Sequence, residues 1–596
     1  MRYRRRLPVG AETDGRLTRF RLWAPSVAQL ALQLDTAPDP IPMRPAGGGW
    51  FELESDAAPP GTAYRFLLPD GLAVPDPASR AQQQDVHGPS LVVDPAAYHW
   101  VHPEWRGRPW EETVLYELHV GTFSETGDFD GVRRRLGELA ELGVTAVELL
   151  PVADFPGRWN WGYDGVLPFA PDRAYGYPED LKRLVDAAHG HGLMIFLDVV
   201  YNHFGPDGNY LHTYAQEFFA AVGDTPWGAA IDFRRAEVRE FFIENALYWL
   251  EEYRFDGLRF DAVHAIDARW RAGFLTELAA RVRAATPGRH VHLVLENDAN
   301  EARWLCADFA AQWNDDVHHA AHVVLTGEAG GYYEDYQGDV VAVLGRALAE
   351  GFVYQGQASA HRGGRPRGEP TAGLPPTAFV SFLQNHDQVG NRAFGERIHR
   401  LAAPEALRAM TAVLLLAPQV PLLFMGEESL AEAPFLYFCD FDEELASAVR
   451  AGRRREFASF PAFASEEARA RIPDPAATAT VEASRLGAEP SAAGREFREF
   501  VTRLLTLRRQ HIVPLLADAA GGPAAWRRWD ARGLSVAWTL AGGARLSLVA
   551  NLGDSHAEMP EMPDGECLFA WPAPGTPDGC AVPAWSAAWW LEEGAA

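Results

Sequence analysis

Three acidic residues of this chain follow apolar, strand-like segments that lie far apart in the sequence. Asp261 ends the segment G-L-R-F-D, Glu296 follows a run of aliphatic residues, and Asp387 ends the segment Q-N-H-D. Carboxylates gathered from such positions have two main uses. They can supply oxygen ligands to a hard cation, or they can act as the nucleophile and the proton donor that break a glycosidic bond.

The residues near these acids favour the glycosidic chemistry. Arg259 precedes Asp261 by two positions and shares its strand face, where its charge would keep Asp261 ionised, as a nucleophile must be. His203 and His386 are expected to be neutral donors to sugar hydroxyls. Flat aromatic faces that suit a pyranose ring come from the segment after the second strand, at Trp159, Trp161 and Tyr163. The sequence has no D-x-D-x-D-G calcium loop, so we predict no metal and no cofactor.

Only a fold that collects strand ends can bring these residues together. From residue 112 onward, continuous apolar segments alternate with helical patterns, which indicates a parallel sheet covered by helices. The predicted strands are 114–120, 144–150, 193–200, 256–261, 291–296, 378–384 and 420–425, with a sixth strand expected near 312–319. The predicted fold class is therefore α/β, a (β/α)8 TIM barrel with its active site at the carboxyl ends of the strands. A doubly wound sheet is disfavoured, because the sequence has no G-x-G-x-x-G or G-x-x-x-x-G-K loop.

Strand patterns of period two flank the barrel on both sides. We predict three domains, an N-terminal β-sandwich like a carbohydrate-binding module at 1–104, the catalytic barrel at 105–515 and a small C-terminal β domain at 516–596. The insert 201–235 is expected to cap the third strand as a small subdomain. The segment 440–492 is expected to be a long excursion before a helix at 497–509.

The composition argues against several classes of partner. The 596 residues include 54 Lys and Arg and 81 Asp and Glu, a formal charge of −27, which repels phosphate backbones and anionic lipid. We therefore expect no nucleic acid and no membrane as a partner, whereas a neutral sugar is compatible with this charge. The longest apolar run, 409–425, is interrupted by prolines, and the basic segment 1–6 is not followed by an apolar region. These features predict a cytoplasmic protein without a secretion signal, and its four cysteines are expected to be reduced.

Four segments at the predicted strand ends resemble the signature regions of the α-amylase family of glycoside hydrolases. They are D-V-V-Y-N-H, G-L-R-F-D-A-V-H, the strand that ends at Glu296, and Q-N-H-D-Q-V-G-N-R. The resemblance is closest to the maltooligosyltrehalose trehalohydrolase branch of that family. Six further segments mark the branch, Y-E-L-H-V-G-T-F-S at 116–124, W-G-Y-D-G-V at 161–166, T-P-W-G at 225–228, Q-W-N-D-D-V-H-H at 312–319, Y-Y-E-D-Y at 332–336 and L-F-M-G-E-E at 423–428.

This resemblance implies roles for the residues at matching positions. Asp261 would be the nucleophile, Glu296 the acid and base, and Asp387 the residue that grips ring hydroxyls and stabilises the transition state. The two carboxyl carbons of Asp261 and Glu296 should then lie roughly 5 to 5.5 Å apart, the retaining spacing. Contacts with the catalytic groups or the reacting sugar are implied for Arg259, for Asp198, which would orient it, and for Tyr163, His203 and His386. The polar residues expected to contact the trehalose end are His264, Asp315, Asp316, His319 and Gln388.

The implied reaction is retaining hydrolysis of the α-1,4-glucosidic bond next to the trehalose end of maltooligosyltrehalose. It would release trehalose and a maltooligosaccharide, and it would depend on another enzyme that makes the trehalose-ended substrate. Two alternatives stay open: a glucan branching or debranching enzyme of the same family, and a non-catalytic glucan-binding protein. Elsewhere, Tyr332 and Tyr333 are expected to be packing residues, and 452–456 a solvated face.

Overall fold

The computed structural model describes most of the chain. The described residues are 5–225, 228–305, 308–458, 460–487, 489–517, 521–522, 524–559, 562–572 and 581–594. Among the predicted features that fall partly outside these ranges are the T-P-W-G segment, of which Pro226 and Trp227 are not described, and the cysteine set, of which Cys306 and Cys580 are not described. The other two cysteines, Cys439 and Cys567, are free thiols.

The N-terminal part is built from two antiparallel sheets, as the period-two patterns predict. One sheet has the strand order Gly10–Thr13, Thr18–Trp23, Trp50–Ser55 and Arg44–Gly47. The other has the order Ile41–Pro42, Ala31–Leu34, Ala63–Leu67 and Ala73–Val74, and Ser90–Leu91 also pairs with Ala63–Leu67. Alternate residues of these strands, such as Phe20, Leu32 and Phe66, are fully buried in the core, so the predicted β-sandwich is confirmed.

Eight parallel strands close into a barrel in chain order, which confirms the predicted fold class. The strands are β1 (Leu115–Leu118), β2 (Ala146–Leu149), β3 (Met194–Val199), β4 (Gly257–Phe260), β5 (His292–Leu295), β6 (Ala311–Trp313), β7 (Phe379–Ser381) and β8 (Val420–Phe424). They read as continuous apolar runs because helices cover the sheet on its outer face while side chains fill its inside. The sixth strand is shorter than expected, since it ends at Trp313 and the chain enters a helix at Asp315.

The barrel helices follow sequence signals for where a helix begins and ends. In the helix Phe129–Leu142, Asp128 caps the first turn by accepting a hydrogen bond from the Gly131 N–H, and Gly143 ends the last turn with a φ of 104°. The other helices of the barrel region are Val120–Phe123, Pro178–Gly190, Ala236–Glu251, Ala268–Ala285, Asp315–Thr326, Val340–Glu350, His386–Gly390 and Pro404–Leu416. Two short antiparallel ribbons also decorate it, Ala153–Asp154 with Leu167–Pro171, and Gln357–Ser359 with Arg365–Arg367.

The insert after β3 contacts the N-terminal sheets. It contains the short helix Leu211–Tyr214 and a ribbon of Phe219–Thr225 with Gly228–Ile231. The Ser26 N–H donates to the Tyr214 carbonyl at 3.0 Å, and a ring nitrogen of His87 lies 2.7 Å from the Tyr210 hydroxyl. The insert is therefore folded, as its aromatic composition indicates.

The last third of the chain is partly helical and then forms a sheet. The segment 440–492 contains the helices Glu443–Phe457, Glu466–Ala470 and Thr478–Ala483, and the next helix is Ala492–Leu507. A five-stranded antiparallel sheet follows, in the order Ala525–Arg528, Gly533–Thr539, Arg545–Asn551, Ser586–Glu592 and Glu566–Trp571, beside a ribbon of Ala557–Glu558 with Ala581–Val582. The expected solvated face at 452–456 is interrupted by Arg453, which is buried. Within the described residues, no helix has the length and apolar character needed to cross a membrane.

Candidate active site

The predicted catalytic residues meet at the carboxyl ends of neighbouring barrel strands. The register of β3 and β4 pairs Asp198 directly with Arg259, and Asp261 follows β4 by one residue. Glu296 follows β5 in the same way, and Asp387 lies in the helix His386–Gly390 after β7. The barrel thus brings together the residues that the strand-end argument selects.

Arg259 is the hub of this arrangement. Its guanidinium Nη1 lies 2.6 Å from Asp198 Oδ2 and 2.9 Å from Asp261 Oδ1, and its Nη2 lies 3.9 Å from Glu296 Oε2. The Arg259 side chain is 0% exposed and packs over the ring of Trp313 at 4.2 Å from the centroid. The buried carboxylates around it raise the pKa of Arg259 further above its usual range, although burial alone would lower it, so the cation is permanent.

Two side-chain donors hold the carboxylate of Asp261. Besides Arg259, the Asn202 side chain donates from Nδ2 to Asp261 Oδ2 at 2.8 Å, and the Asp261 N–H donates to the Val199 carbonyl at 3.1 Å. Two charge-assisted or amide donors on one carboxylate stabilise its ionised form. Asn202 belongs to the segment D-V-V-Y-N-H, but the sequence argument did not assign it a role.

The electrostatic surroundings of Glu296 differ from those of Asp261. Burial raises the pKa of Glu296 well above its usual range, and the neighbouring Asp261, Asp315 and Asp387 raise it further, while Arg259 opposes the rise. The carboxyl oxygen Oε2 accepts a 2.5 Å hydrogen bond from the N–H of Ala262. Ala262 adopts a left-handed backbone conformation, with φ 39° and ψ 47°, which residues other than glycine seldom adopt. This bent backbone directs the N–H toward Glu296.

Asp387 lies in the wall of a cavity above these groups. The helix that carries it is capped by Asn385, whose side chain accepts hydrogen bonds from the N–H groups of Asp387 and Gln388. The Asp387 side chain is 47% exposed and shares with Glu296 a cavity of about 220 Å³. The other residues that line this cavity are Asp298, Trp313, Asp315, His319, Tyr332, Asp335, Tyr336, His361, Arg362, Arg367, Asn385, Gln388 and Asn391.

The expectation that His386 is a neutral donor is wrong. Its ring Nδ1 lies 2.5 Å from Glu117 Oε1, and the carboxylate of Glu117 together with that of Asp387 raises the pKa of His386 to about 9, against the effect of burial. His386 is therefore an imidazolium at neutral pH. The sequence argument missed Glu117, which lies inside β1, because a single acid within a strand gives no signal of what its side chain meets.

His203 and Tyr163 support the site from the neighbouring loops. The ring nitrogens of His203 lie 2.5 Å from Asn202 Oδ1 and 2.9 Å from the Tyr163 carbonyl, so this buried ring positions two neighbours. The Tyr163 hydroxyl donates to Asp198 Oδ2 at 2.7 Å, and its ring stacks on His386 at 5.1 Å between centroids. Stacking of Tyr163 on the reacting sugar stays a prediction.

The two tryptophans before Tyr163 differ in their surroundings. Trp161 is buried, it donates from Nε1 to the Leu436 carbonyl at 2.8 Å, and it stacks on Phe435. It is therefore a packing residue. Trp159 is partly buried and carries Arg158 on its face at 4.1 Å from the ring centroid.

The residues predicted to contact the trehalose end divide into two groups. Asp315, His319 and Gln388 line the cavity. Asp316 does not face it: this carboxylate is 0% exposed and pairs with Arg367 at 3.1 Å. His264 is likewise held by protein, because its Nδ1 accepts a hydrogen bond from the Asp298 N–H at 3.2 Å. The prediction that Asp316 contacts the substrate is wrong. One position after the cavity-lining Asp315, its carboxylate is buried against Arg367 and the Val353 backbone instead.

Several cavity residues were not predicted. Tyr332, which was expected to be a packing residue, is 39% exposed and lines the cavity. Tyr333 is buried as expected, and its hydroxyl is hydrogen-bonded to His318 Nε2 at 3.0 Å. Arg362 and Arg367 come from the ribbon Gln357–Ser359 with Arg365–Arg367, and both contact Asp298. The ribbon has few apolar residues, so no periodic pattern marks it in the sequence.

Curated relatives match this chain over most of its length. The malto-oligosyltrehalose trehalohydrolase of Deinococcus radiodurans is 38% identical over 574 residues, which are 94% of this chain and 91% of the relative. The malto-oligosyltrehalose trehalohydrolase of Saccharolobus solfataricus is 41% identical over 76% of this chain and 80% of the relative. The chain belongs to the malto-oligosyltrehalose trehalohydrolase family.

Two further comparisons agree with this family assignment. The profile of the alpha amylase catalytic domain matches residues 117–227, and that of a domain of unknown function, DUF3459, matches residues 522–589. A crystal structure of a putative alpha amylase from Salmonella typhimurium superposes with a TM-score of 0.93 at 45% identity, covering 98% of this chain and 100% of that chain. Membership of the malto-oligosyltrehalose trehalohydrolase family makes this protein a glycoside hydrolase with an α-amylase type barrel.

Proposed function

We propose that this protein hydrolyses the α-1,4-glucosidic bond next to the trehalose end of maltooligosyltrehalose, with retention of configuration. The observation that carries the proposal is the contact of one buried guanidinium, that of Arg259, with both Asp261 and Glu296. A guanidinium 2.9 Å from one carboxyl group and 3.9 Å from the other supports a short separation between them. The retaining mechanism calls for carboxyl groups roughly 5 to 5.5 Å apart, and the inverting mechanism for a wider separation that leaves room for a water.

Glu296 is the proposed general acid and base. Burial raises the pKa of Glu296 well above its usual range, which favours the protonated carboxyl group that can donate a proton to the leaving glycosidic oxygen. After the leaving trehalose has departed, the same group is a carboxylate. It then takes a proton from the water that attacks the intermediate, which restores the starting state.

Asp261 is the proposed nucleophile. Arg259 and Asn202 donate to its two oxygens, which favours the ionised form that attacks the anomeric carbon. The product of that attack is a covalent glycosyl ester, which water cleaves in the second step. Asp387, at the same cavity, is proposed to hold ring hydroxyls through hydrogen bonds that strengthen in the transition state.

The cavity beside Glu296 is the proposed place for the trehalose end. Its wall combines an aromatic face from Tyr332 with charged and polar groups that include Asp315, His319 and Arg362. Sites that hydrogen-bond to substrate hydroxyls discriminate strongly against analogues that leave these groups unpaired. A branching or debranching enzyme would share the barrel and the three acids, so the substrate preference, and not the acids, separates these alternatives.

The reaction is tested by following the anomeric configuration of the products. Maltotriosyltrehalose is incubated with the protein in an NMR tube, and the first maltotriose formed should be the α-anomer, with trehalose appearing at the same rate. Glu296→Gln removes the transferable proton at constant shape and should abolish both signals. β-Maltotriose as the first product would contradict the mechanism, and glucan transfer without trehalose release would favour the branching alternative.

The proposed substrate also bears on which enzyme supplies it and where in the cell the reaction takes place. Relatives of this chain are named malto-oligosyltrehalose trehalohydrolases, and a hydrolase consumes its substrate, so another enzyme must supply it. We extend the proposal to a functional coupling with such an enzyme, and to a cytoplasmic location in which α-glucan stores are available.

A further inference from the structure

Two glutamates lie side by side inside the barrel, below the carboxylates of the active site. Glu117 in β1 is paired in register with Glu148 in β2, and both are 1% exposed. They face different surroundings. Glu117 is bound to His386, whereas the Oε2 atom of Glu148 is buried without a hydrogen-bond partner among the described residues.

Glu117 holds His386 by two bonds. Its Oε2 accepts a hydrogen bond from the His386 backbone N–H at 3.0 Å, and its Oε1 lies 2.5 Å from the ring Nδ1. Because an ionised carboxylate can only accept hydrogen bonds, Nδ1 must carry a proton. The backbone contact prevents rotation of the carboxylate away from the ring, so this proton stays in place.

The opposite side of the ring also faces a carboxylate. His386 Nε2 lies 3.5 Å from Asp387 Oδ1, and an unprotonated Nε2 would direct its lone pair at this negative oxygen. Protonation of Nε2 removes the repulsion and supplies a donor. The two contacts together favour the form of the ring in which both nitrogens are protonated.

The other groups around His386 fit a buried cation. The ionisable groups that face it from the surrounding elements are Glu117, His119, Glu148, Tyr163, Arg259 and Asp387. Arg259 and burial work against the charge, while Glu117 and then Asp387 raise the pKa of His386 to about 9. Burial first and then Glu117 and Asp198 raise the pKa of Glu148 well above its usual range, which favours its neutral form.

We propose that Glu117 is a positioning residue that keeps His386 doubly protonated, so that the Nε2–H of the imidazolium orients the Asp387 carboxylate toward the reacting sugar. The inference rests on the function proposed above, since it gives Asp387 its work. The inference gives a role to Glu117, which is not one of the three acids. The charge of Glu117 is needed for turnover, although Glu117 touches neither the substrate nor the reacting atoms.

The pair of glutamates provides a matched test. Glu117→Gln removes the charge that holds the imidazolium, and a glutamine amide can itself donate to Nδ1, so the ring then needs only one proton. Glu148→Gln makes the same substitution on the neighbouring strand at the paired position, where the side chain has no contact with His386 of the kind that Glu117 makes. Protein labelled with ¹³C at histidine Cε1 reports the charge of each imidazole, and His386→Asn identifies the His386 signal.

The expected results differ between the two variants. In the wild-type protein the His386 signal should stay that of an imidazolium through pH 7 and titrate at about pH 9. In Glu117→Gln the midpoint should fall by roughly 1 to 3 pH units. Its kcat on maltotriosyltrehalose at pH 8 should fall by about tenfold with little change in KM, and the ratio to wild type should recover as the pH is lowered. Glu148→Gln should keep the wild-type midpoint and kcat.

Three outcomes would overturn the inference. A neutral His386 at pH 7 in the wild-type protein would do so without any variant, which covers the case of a Glu117→Gln protein that does not fold. An unchanged midpoint in Glu117→Gln, or an equal loss of kcat in Glu148→Gln, would do so as well. Failure of the wild-type protein to cleave maltotriosyltrehalose would instead refute the proposed function, because the histidine titration is read without substrate.

Discussion

The guanidinium of Arg259 donates a hydrogen bond of 2.9 Å from Nη1 to Asp261 Oδ1, at a place where its own side chain has no contact with water. The two residues are alternate positions on the end of one strand, so the pleat of β4 turns both side chains to the same face. The strand therefore delivers the proposed nucleophile together with the cation that keeps it charged.

Removal of the Arg259 charge should abolish most turnover. Arg259→Ala leaves Asp198 and Asp261 without their cation. A hydrogen bond to a charged group contributes about 1.5 to 3 kcal/mol, which at about 1.4 kcal/mol per tenfold predicts a loss of kcat of roughly tenfold to a hundredfold. The measurement is kcat on maltotriosyltrehalose, with circular dichroism to confirm folding. Arg158→Ala removes a surface arginine that is 71% exposed and should keep wild-type kcat. Near-normal turnover of Arg259→Ala would show that Asp261 does not depend on this cation.

The activity should fall on the alkaline side as Glu296 loses its proton. A general acid must be protonated, so kcat/KM should decrease as the pH rises through the raised pKa of Glu296. Burial is the main cause of that rise and Asp315 contributes to it, so Asp315→Asn should move the alkaline limb to lower pH. The shift should be visible above pH 7, because burial and Asp298 raise the pKa of Asp315 itself to about 7.

The control for this pH profile is a remote acid. Glu104 is 89% exposed, and Glu104→Gln should leave the alkaline limb of kcat/KM unchanged. An alkaline limb that stays in place in Asp315→Asn would mean that Asp315 does not influence Glu296. A limb that moves to higher pH would contradict the sign of the interaction.

Asp316 should matter for stability, unlike its neighbours in the cavity wall. It accepts hydrogen bonds from the Val353 N–H at 2.6 Å and from Asn300 Nδ2 at 3.1 Å, besides its ion pair with Arg367. Asp316→Asn turns an amide donor toward these donors, and we expect a loss of about 3 to 5 kcal/mol in the free energy of unfolding, measured by urea denaturation. His319→Ala should lower that free energy by less than Asp316→Asn does, because His319 forms no ion pair within the part of the chain that the structure describes, and it should reduce the preference for trehalose-ended substrate. If Asp316→Asn reduced the preference for trehalose-ended substrate without lowering the free energy of unfolding, Asp316 would be a substrate contact after all.

Chelators should leave the activity intact. Asp261 is engaged with Arg259 and Asn202, and among the residues that the structure describes no three His, Cys, Asp or Glu side chains are grouped closely enough to bind a metal ion. After exhaustive dialysis against EDTA, the rate of trehalose release should equal that of the untreated protein. A large loss that calcium restores would reveal a required site.

The sequence was sufficient to predict the barrel and the position of the three acids at its mouth, and the reason is physical. Strands buried on both faces read as uninterrupted apolar runs, and the first polar residue after each run marks the mouth of the barrel. Asp261 and Glu296 were found in this way. The same reasoning misplaced Asp316, because β6 ends at Trp313 and a helix begins at Asp315, so only one side of that helix faces the cavity.

The charge state of His386 and the outer cavity wall could not be predicted in the same way. The charge depends on Glu117, a residue more than 250 positions away that reaches His386 only after the barrel closes. Arg362 and Arg367 lie in a polar ribbon, whose position comes from its ion pairs with Asp298 and Asp316 and not from a hydrophobic pattern. Such side-chain pairings are properties of the fold and leave no periodic trace in the chain.

The central claim is that the protein cleaves beside trehalose, and the most direct test compares two substrates of five glucose units. Initial rates are measured on maltotriosyltrehalose and on maltopentaose under the same conditions, and the first products are identified. Each hydrogen bond to a charged group that maltopentaose cannot satisfy should cost about 1.5 to 3 kcal/mol. Two or three such contacts predict a preference of about a thousandfold or more for maltotriosyltrehalose, with free trehalose as the first product. Equal rates on the two substrates would contradict the account and leave a general α-glucanase.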